Sequence, residues 1–488
     1  MIRAAQLARS VAVAIRLTGI ALLVPLVASL ALDPWNRRVL GSFELPATTL
    51  AFGLCAALAA ALWLPLRIVS NRATEPLSDR EGYVGAALGW VAAALIAASP
   101  FLLLRALGPL PSFFEAMSGL TGTGITAIAN LDAVPRSLLF WRSFLQWIGA
   151  LASIILALSL VARLTHGGLL WMGPARARWR IAEVAQSVGA VYLVLTLGFA
   201  VLFDAVLTFR HGLTGMDALL ESLTQVFAAY GNGAFTLHDH IVLADDPVLS
   251  SLRAAMMVAG ALGLPVAIVL ARRHAVRNLG ANPEARFFVA LLAAACLATV
   301  AATWNADATT SLQATLAIAT GAGVATTPVL PPFATLLLVL AAVTGGTIAS
   351  AAGGITAYRT LVLLKSVGRE LRRILHPHAV IPLRVGGRVV PEESVMAIIA
   401  FFFTFVTAWI LGAGTLASLE PQLSLEDAAT GSLAALGNVA FGTGALAGPD
   451  GYAHLSLASQ AVLTGLMWVG RLGVFATLLV FLPSTWRK

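Results

Sequence analysis

Ten stretches of this chain stay apolar for long enough to cross a bilayer: residues 11–32, 46–66, 84–106, 137–162, 185–206, 249–271, 287–304, 332–364, 395–416 and 455–485. Spanning about 30 Å of hydrocarbon takes around 20 apolar residues, and only helices and closed barrels satisfy the backbone there. Runs of this length without alternation read as helices. Charge points to the same solvent: 11% of the residues are charged, whereas soluble domains carry roughly a quarter. So few polar side chains cannot cover a water-facing surface. The predicted fold class is an all-α polytopic membrane protein with no soluble domain. The first stretch belongs to the set by its length, so it is not expected to be a cleaved signal peptide.

The net charge of +8 does not imply nucleic acid, because it is spread over short loops and not over one folded face. Basic loops stay on the cytoplasmic side. Arg163, Arg176, Arg178 and Arg180 follow the fourth stretch, and Arg272, Arg273, Arg277 and Arg286 the sixth. Arg359, Lys365, Arg369, Arg372, Arg373, Arg384 and Arg388 follow the eighth. Arg3, Arg9, Arg487 and Lys488 fall on the same side, which puts both termini in the cytoplasm. The opposite connections carry Asp204, Asp217, Glu221, Asp239, Asp245, Asp246, Asp307, Glu420, Glu426, Asp427 and Asp450. That face attracts cations.

Between stretches 3 and 4, 5 and 6, 7 and 8, and 9 and 10, the outer linker holds an apolar segment too short to cross, then a cluster of small residues. The clusters read Thr121-Gly-Thr-Gly-Ile-Thr126, Gly231-Asn-Gly-Ala-Phe235, Thr320-Gly-Ala-Gly-Val324 and Gly437-Asn-Val-Ala-Phe441. A half-length helix, a glycine-rich turn and a returning segment describe a re-entrant loop. The second and fourth units share a register. From Glu221 and Asp427, a threonine follows at +3 (Thr224, Thr430), an alanine pair at +7 and +8, Gly-Asn at +10 and +11, and alanine at +13 (Ala234, Ala440). The first and third share Thr-Gly-x-Gly. The chain is therefore a fourfold repeat of span, loop, span. Each unit crosses twice, so all four point the same way around one axis, as in a pore; an alternating-access carrier built on inverted repeats is disfavoured.

Such loops can replace a cation's hydration shell with backbone carbonyls. Turning consecutive carbonyls inward requires unusual backbone angles, which glycine accepts. Small residues also let helices pack closely, but four clusters at one place in a repeat favour the carbonyl reading.

These residues resemble the membrane subunit of the Trk/Ktr/HKT potassium transporter superfamily, nearest the TrkH type, over about residues 85–488 with two extra N-terminal spans. The resemblance also rests on Pro135-Arg-Ser-Leu-Leu-Phe-Trp-Arg-Ser-Phe-Leu-Gln-Trp-Ile-Gly149, on His376-Pro-His-Ala-Val-Ile-Pro-Leu-Arg-Val-Gly-Gly-Arg-Val-Val-Pro-Glu-Glu393, and on Gly470-Arg-Leu-Gly-Val-Phe475 with Pro483-Ser484. It implies an N-terminal hairpin (1–83) and pore repeats at 84–163, 185–272, 286–365 and 394–488. It also implies a potassium filter at Thr123, Gly124, Gly233, Ala234, Ala322, Gly323, Val439 and Ala440. Family glycines are expected at Gly124, Ala234, Gly323 and Ala440, so two of the four are alanine here. A slip of register would instead select Gly233 and Gly437 or Gly442. Alanines in the filter would cost on the order of 1 kcal/mol each if left-handed, or would tilt their carbonyls away. Weaker discrimination of potassium from sodium is expected.

The eighth stretch is broken by Thr344-Gly-Gly-Thr-Ile-Ala-Ser-Ala-Ala-Gly-Gly354. It resembles the family's intramembrane gating loop, with Gly345, Gly346, Ser350, Gly353 and Gly354 as gating positions. Where the family often carries a lysine, this chain has Ile355-Thr356. Arg471, near the middle of the last stretch, must face the interior or water. The resemblance puts it below the filter, repelling cations or pairing with the loop. Arg16 reads as a snorkelling anchor, and His238, Asp239 and His240 as a solvated vestibule.

Cys55 and Cys296 lie in apolar stretches and offer no disulfide or metal framework, and no hydrolase, zinc-protease or nucleotide-binding motif occurs. An enzyme is not expected, and no cofactor is expected in this chain. The resemblance implies potassium as the transported ion and a multi-pass protein of the bacterial inner membrane, in contact with lipid. It further implies a homodimer docked to a cytoplasmic TrkA-type subunit, which would bind NAD or ATP. Gated channel against ion-coupled symporter stays open, as does a non-conducting regulator on the same scaffold.

Overall fold

The computed structural model describes residues 3–33, 37–40, 43–71, 77–164, 181–238, 246–263, 282–302, 308–323, 332–448 and 451–486. Helix α1 (Ala4–Ala21) runs through Leu22 into α2 (Leu23–Leu32). The antiparallel hairpin β1 (Arg37–Leu40) and β2 (Phe43–Pro46) leads to α3 (Ala47–Ser70). The next helix, α4 (Asp79–Leu103), opens on a capping box in which Ser78 and Glu81 satisfy each other's backbone donors. Arg3 Nη2 also reaches Glu81 Oε2 at 2.7 Å, tying the start of α1 to the start of α4.

From α4 onward a pattern recurs. Its first unit is α4, α5 (Pro109–Thr121) and α6 (Arg136–Leu164), and its second is α7 (Ile181–His211), α8 (Gly215–Tyr230) and α9 (Pro247–Leu262). The third is α10 (Pro283–Ala302), α11 (Ala308–Thr320) and α12 (Pro332–Thr344). Then come α13 (Ala357–Leu375) and a second hairpin, β3 (Arg384–Val385) with β4 (Arg388–Val389). The fourth unit is α14 (Glu392–Leu419), α15 (Leu425–Gly437) and α16 (Leu457–Leu472), followed by α17 (Val474–Phe481).

The middle helix of each unit has 13 or 16 residues. At 1.5 Å per residue it reaches about 20–24 Å, short of the hydrocarbon thickness. Each also packs on the last helix of the preceding unit: α8 on α6, α11 on α9, α15 on α12, and α5 on α16. That last contact joins the first unit to the fourth and closes the ring. The outer helices face lipid, as Phe209 (89% exposed), Leu297 (70%) and Val201 (68%) show. Such exposure is stable only in an apolar solvent.

Among the described residues seven helices are long and apolar enough to cross a membrane, or eight if the bent pair α16–α17 is one span. The architecture is that of a polytopic helical membrane protein. Two stretches differ from their sequence reading. The tenth is not straight: α16 and α17 meet at 117° because Gly473 between them takes φ 84, which no helix accommodates. Arg471 therefore sits in the last turn of α16, just before the bend. Of the sixth, Pro247–Leu262 is helical, and residues 264–271 lie outside the described residues.

Candidate functional site

Within two residues of its end, each short helix is followed by a residue in the left-handed region: Gly122 (φ 70), Asn232 (φ 51), Gly321 (φ 88) and Asn438 (φ 52). Glycine and asparagine tolerate that conformation best, which explains their alternation around the ring. The chain then folds back, and Thr123 N, Gly233 N and Val439 N bond Ser118 O, Ala228 O and Ala434 O at 3.0, 2.8 and 3.0 Å. In the third loop the aligned acceptor, Ala317 O, is taken one residue later, by Gly323 N at 2.9 Å, as Gly124 N also takes Ser118 O at 3.4 Å. The left-handed residue and this shared acceptor put the four loops in one register. Their second positions are Thr123, Gly233, Ala322 and Val439; their third are Gly124, Ala234, Gly323 and Ala440.

The third positions meet in pairs. A β-carbon on Gly124 would fall 2.6 Å from Ala234 N, and one on Gly323 2.7 Å from the Ala440 methyl. The alternative glycines do not meet this way: Gly233 abuts the Gln146 side chain, Gly437 ends α15, and Gly442 packs on Leu446. Gly124 (φ 78) and Gly323 (φ 70) are left-handed, whereas Ala234 and Ala440 are not among the positive-φ residues. Neither alanine therefore carries the strain of a left-handed backbone. Side chains complete the circle. Asn232 Nδ2 donates to Thr320 O, and Asn438 Nδ2 donates to Thr123 Oγ1 at 3.0 Å.

Directly beside this ring runs the broken part of the eighth stretch. Gly345 (φ 63), Ala349 (φ 59) and Gly354 (φ 84) bend residues 344–354 into a loop. Ala352 lies against Gly321, and Gly353 against Gly437 and Asn438, so the loop abuts the third and fourth turns. Gly346 has no room for a side chain, with Ala261 O and Ser350 Oγ at its face. Ser350 Oγ is buried without a hydrogen-bond partner among the described residues. Arg471 binds the loop: its Nη1 donates to Ala351 O at 2.8 Å and its Nε to Ser153 Oγ at 2.5 Å. Its Nη2 lies 3.9 Å from where a Gly122 β-carbon would be. A cation at a helix C-terminus also faces the negative end of the dipole.

The sequence profile of TrkH, described as a cation transport protein, matches residues 45–316 and 306–488. The chain belongs to the TrkH family. It is 30% identical over 463 residues to the Trk system potassium uptake protein TrkH of Salmonella typhimurium, covering 91% of this chain and 92% of that one. It is 30% identical, with the same coverage, to the TrkH of Halomonas elongata. Its fold matches the crystal structure of the potassium transporter TrkH from Vibrio parahaemolyticus with a TM-score of 0.83 and 25% identity, over 99% of both chains. This is a family of transporters and not of enzymes.

In this TrkH-family chain the loops rest on groups that sequence patterning missed. Glu115 and Arg142 form an ion pair at 2.6 Å with side chains 0% and 1% exposed. Glu115 Oε2 accepts Ala127 N at 2.8 Å, and Arg142 lies over the Phe235 ring at 4.1 Å, so one pair braces the first two loops. Asp427 plays a comparable part in the fourth, accepting Thr443 Oγ1 at 2.9 Å. Gly149, Gly260 and Gly470 each leave no space between their helix and a carbonyl at the end of a short helix, that of Leu120, Tyr230 and Leu436 respectively. A carboxylate and an arginine inside otherwise apolar segments were the available signal for the first pair; nothing local marked the glycines. Of the remaining polar candidates, Arg16 is exposed on α1 and His238 Nδ1 lies 3.7 Å from Asp132. Asp239 and His240 lie outside the described residues.

Proposed function

We propose that this chain takes up potassium across the bacterial inner membrane through a gated, channel-like pore. The observation that carries the reading is the closed ring of four equivalent loops, with third positions Gly124, Ala234, Gly323 and Ala440 meeting in pairs. Carbonyls of Thr123, Gly124, Gly233, Ala234, Ala322, Gly323, Val439 and Ala440 form one filter that replaces water around the ion. That relatives are named as potassium uptake proteins of Trk systems supports potassium as that ion. The repeats at 84–163, 185–272, 286–365 and 394–488 then surround one axis, with the hairpin 1–83 outside it. Loop 344–354 is the gate, turning on Gly345, Gly346, Ser350, Gly353 and Gly354, and Arg471 fastens it through Ala351 O.

Both termini face the cytoplasm in this reading, and the basic segments 163–180 and 359–388 dock a TrkA-type nucleotide-binding subunit beneath a homodimer. A second reading keeps the pore but relaxes its selectivity. It is favoured by the backbone of Ala234 and Ala440, which does not take the left-handed form of Gly124 and Gly323.

Expression in a bacterial strain lacking its own potassium uptake systems tests the proposal. Rescue of growth at low potassium supports uptake, and no rescue by a well-expressed protein with its partner subunit present overturns it. Sodium that competes strongly with rubidium uptake selects the relaxed reading.

A further inference from the structure

We propose that Glu284 is a positioning residue that clamps the intramembrane loop, and that the hairpin β3–β4 controls this clamp. The inference deepens the reading of loop 344–354 as a gate and rests on it for its functional meaning. Its geometry stands independently.

Glu284 lies in the first turn of α10, where Asn282 Oδ1 accepts Glu284 N at 2.9 Å and caps the helix. The positive end of the helix dipole supports a carboxylate there. Glu284 is 1% exposed, and its Oε1 accepts Ile348 N of the loop at 2.6 Å. The neighbouring donors of the loop go to backbone carbonyls, Thr347 N and Oγ1 to Ala261 O and Leu262 O at 2.9 and 3.0 Å and Ala351 N to Gly260 O at 3.1 Å, while Arg471 Nη1 holds Ala351 O at 2.8 Å. Removing the Glu284 acceptor would leave the buried Ile348 N–H without a partner, which costs more than the bond's net worth. The next residue, Ala349, holds φ 59 despite its β-carbon. Such a conformation persists only while its surroundings enforce it, so releasing Ile348 lets the turn relax.

The hairpin touches both sides of this clamp. At its turn Gly386 (φ 58) approaches Pro283 so closely that a β-carbon would lie 3.1 Å from Pro283 Cγ. Pro283 is the residue before Glu284. Val385, Leu383 and Val390 are buried in one cluster with Ile348, Ala349 and Tyr358. Lys365 Nζ donates to Arg384 O at 2.9 Å, fixing the hairpin to α13. A displacement of the hairpin therefore reaches the loop by two routes, through Pro283 to Glu284 and through the shared cluster to Ile348. Arg388 and Val389, on the far strand, are exposed and available to be pushed.

Hydrogen exchange of residues 345–354 in the full-length protein, with rubidium flux in proteoliposomes, tests the clamp. Glu284→Ala is expected to speed loop exchange about tenfold or more, as leaving the buried Ile348 N–H without its acceptor implies. Glu284→Gln keeps an oxygen acceptor for Ile348 N and should exchange within about twofold of the parent. If Glu284→Ala does not accumulate, Glu284→Asp, one methylene shorter, takes its place with the same expected direction. Gly386→Val, which forces a side chain onto Pro283, should also raise loop exchange. Unchanged exchange in the Glu284 variant, or equal loss of protection with glutamine, overturns the clamp; unchanged exchange in the Gly386 variant overturns control by the hairpin. Faster exchange with unaltered flux leaves the clamp standing and overturns the loop as a gate.

Discussion

Gly124 and Ala234 stand so close across adjacent loops that a β-carbon on Gly124 would come 2.8 Å from the Ala234 methyl. Gly323 and Ala440 repeat the relationship across the ring at 2.7 Å. The methyl on one partner occupies the space that glycine leaves on the other. Gly124→Ala and Gly323→Ala meet both a steric clash and a left-handed backbone worth about 1–2 kcal/mol. Each should cut rubidium uptake at least about tenfold. The reverse changes, Ala234→Gly and Ala440→Gly, are free of both obstacles. Together they should sharpen the preference for potassium, read as weaker sodium competition in the uptake assay.

Arg471 holds Ala351 O and Ser153 Oγ at once. Removing it deletes two charge-assisted bonds, each worth about 1.5–3 kcal/mol. Arg471→Ala should raise resting flux about tenfold, while Arg471→Lys, which reaches only one partner, should fall between. A resting flux equal to the parent's in the alanine variant would sink the fastening role.

The buried Glu115–Arg142 pair is costly to break from one side. Arg142→Met leaves an uncompensated carboxylate and should destabilise the protein by about 3–5 kcal/mol. The double change Glu115→Leu with Arg142→Met removes both charges and should recover much of that loss. Thermal unfolding in detergent measures both.

Gly470 has no room for a methyl group, since an added β-carbon would fall on the Leu436 carbonyl oxygen. Gly470→Ala should cost about 1–3 kcal/mol through overpacking. Gly465, five residues earlier on the same helix, meets nothing within 4 Å, and Gly465→Ala should be neutral or slightly stabilising by removing a helix glycine. The pair separates a packing effect from helix propensity.

Glu420, beyond the end of α14, gives a pH dependence. Burial raises its pKa, but donors from Ser459, Ser456 and Gln422 outweigh it and hold the carboxyl at about 2; Ser456 N lies at 2.6 Å. A lowered folded-state pKa means the unfolded chain binds the proton first. Its stabilisation is therefore complete above the ordinary value of 4.5 and is lost as pH falls toward about 2. Glu420→Gln should lower the melting temperature at pH 7, and the difference from the parent should shrink as the melt is repeated below pH 4.5.

Much of this protein is legible in order along the chain. Hydropathy marks the long helices, because a bilayer imposes its thickness on each crossing independently. The clusters at Thr121–Thr126 and Gly437–Phe441 mark the loops, because a tight turn after a half helix demands glycine or asparagine locally. The register that aligns Ala234 with Ala440 was visible from the spacing of Glu221 and Asp427 alone. The bend at Gly473 was not, since a glycine within an apolar run is compatible with a straight helix. Nor was the pairing of Glu115 with Arg142, because each looks like an isolated cost until the other is found beside it.

By itself the sequence determined the solvent, the helices and the fourfold repetition, all of which follow from interactions between a segment and its surroundings. Only the tertiary structure decided that Asn438 reaches Thr123 across 315 positions, that Glu284 holds Ile348, and that each alanine of the ring rests against a glycine. These depend on which segments become neighbours once the ring closes. That choice is made by close packing among helices with similar apolar surfaces, where the fit of a missing β-carbon against a carbonyl discriminates and hydropathy does not.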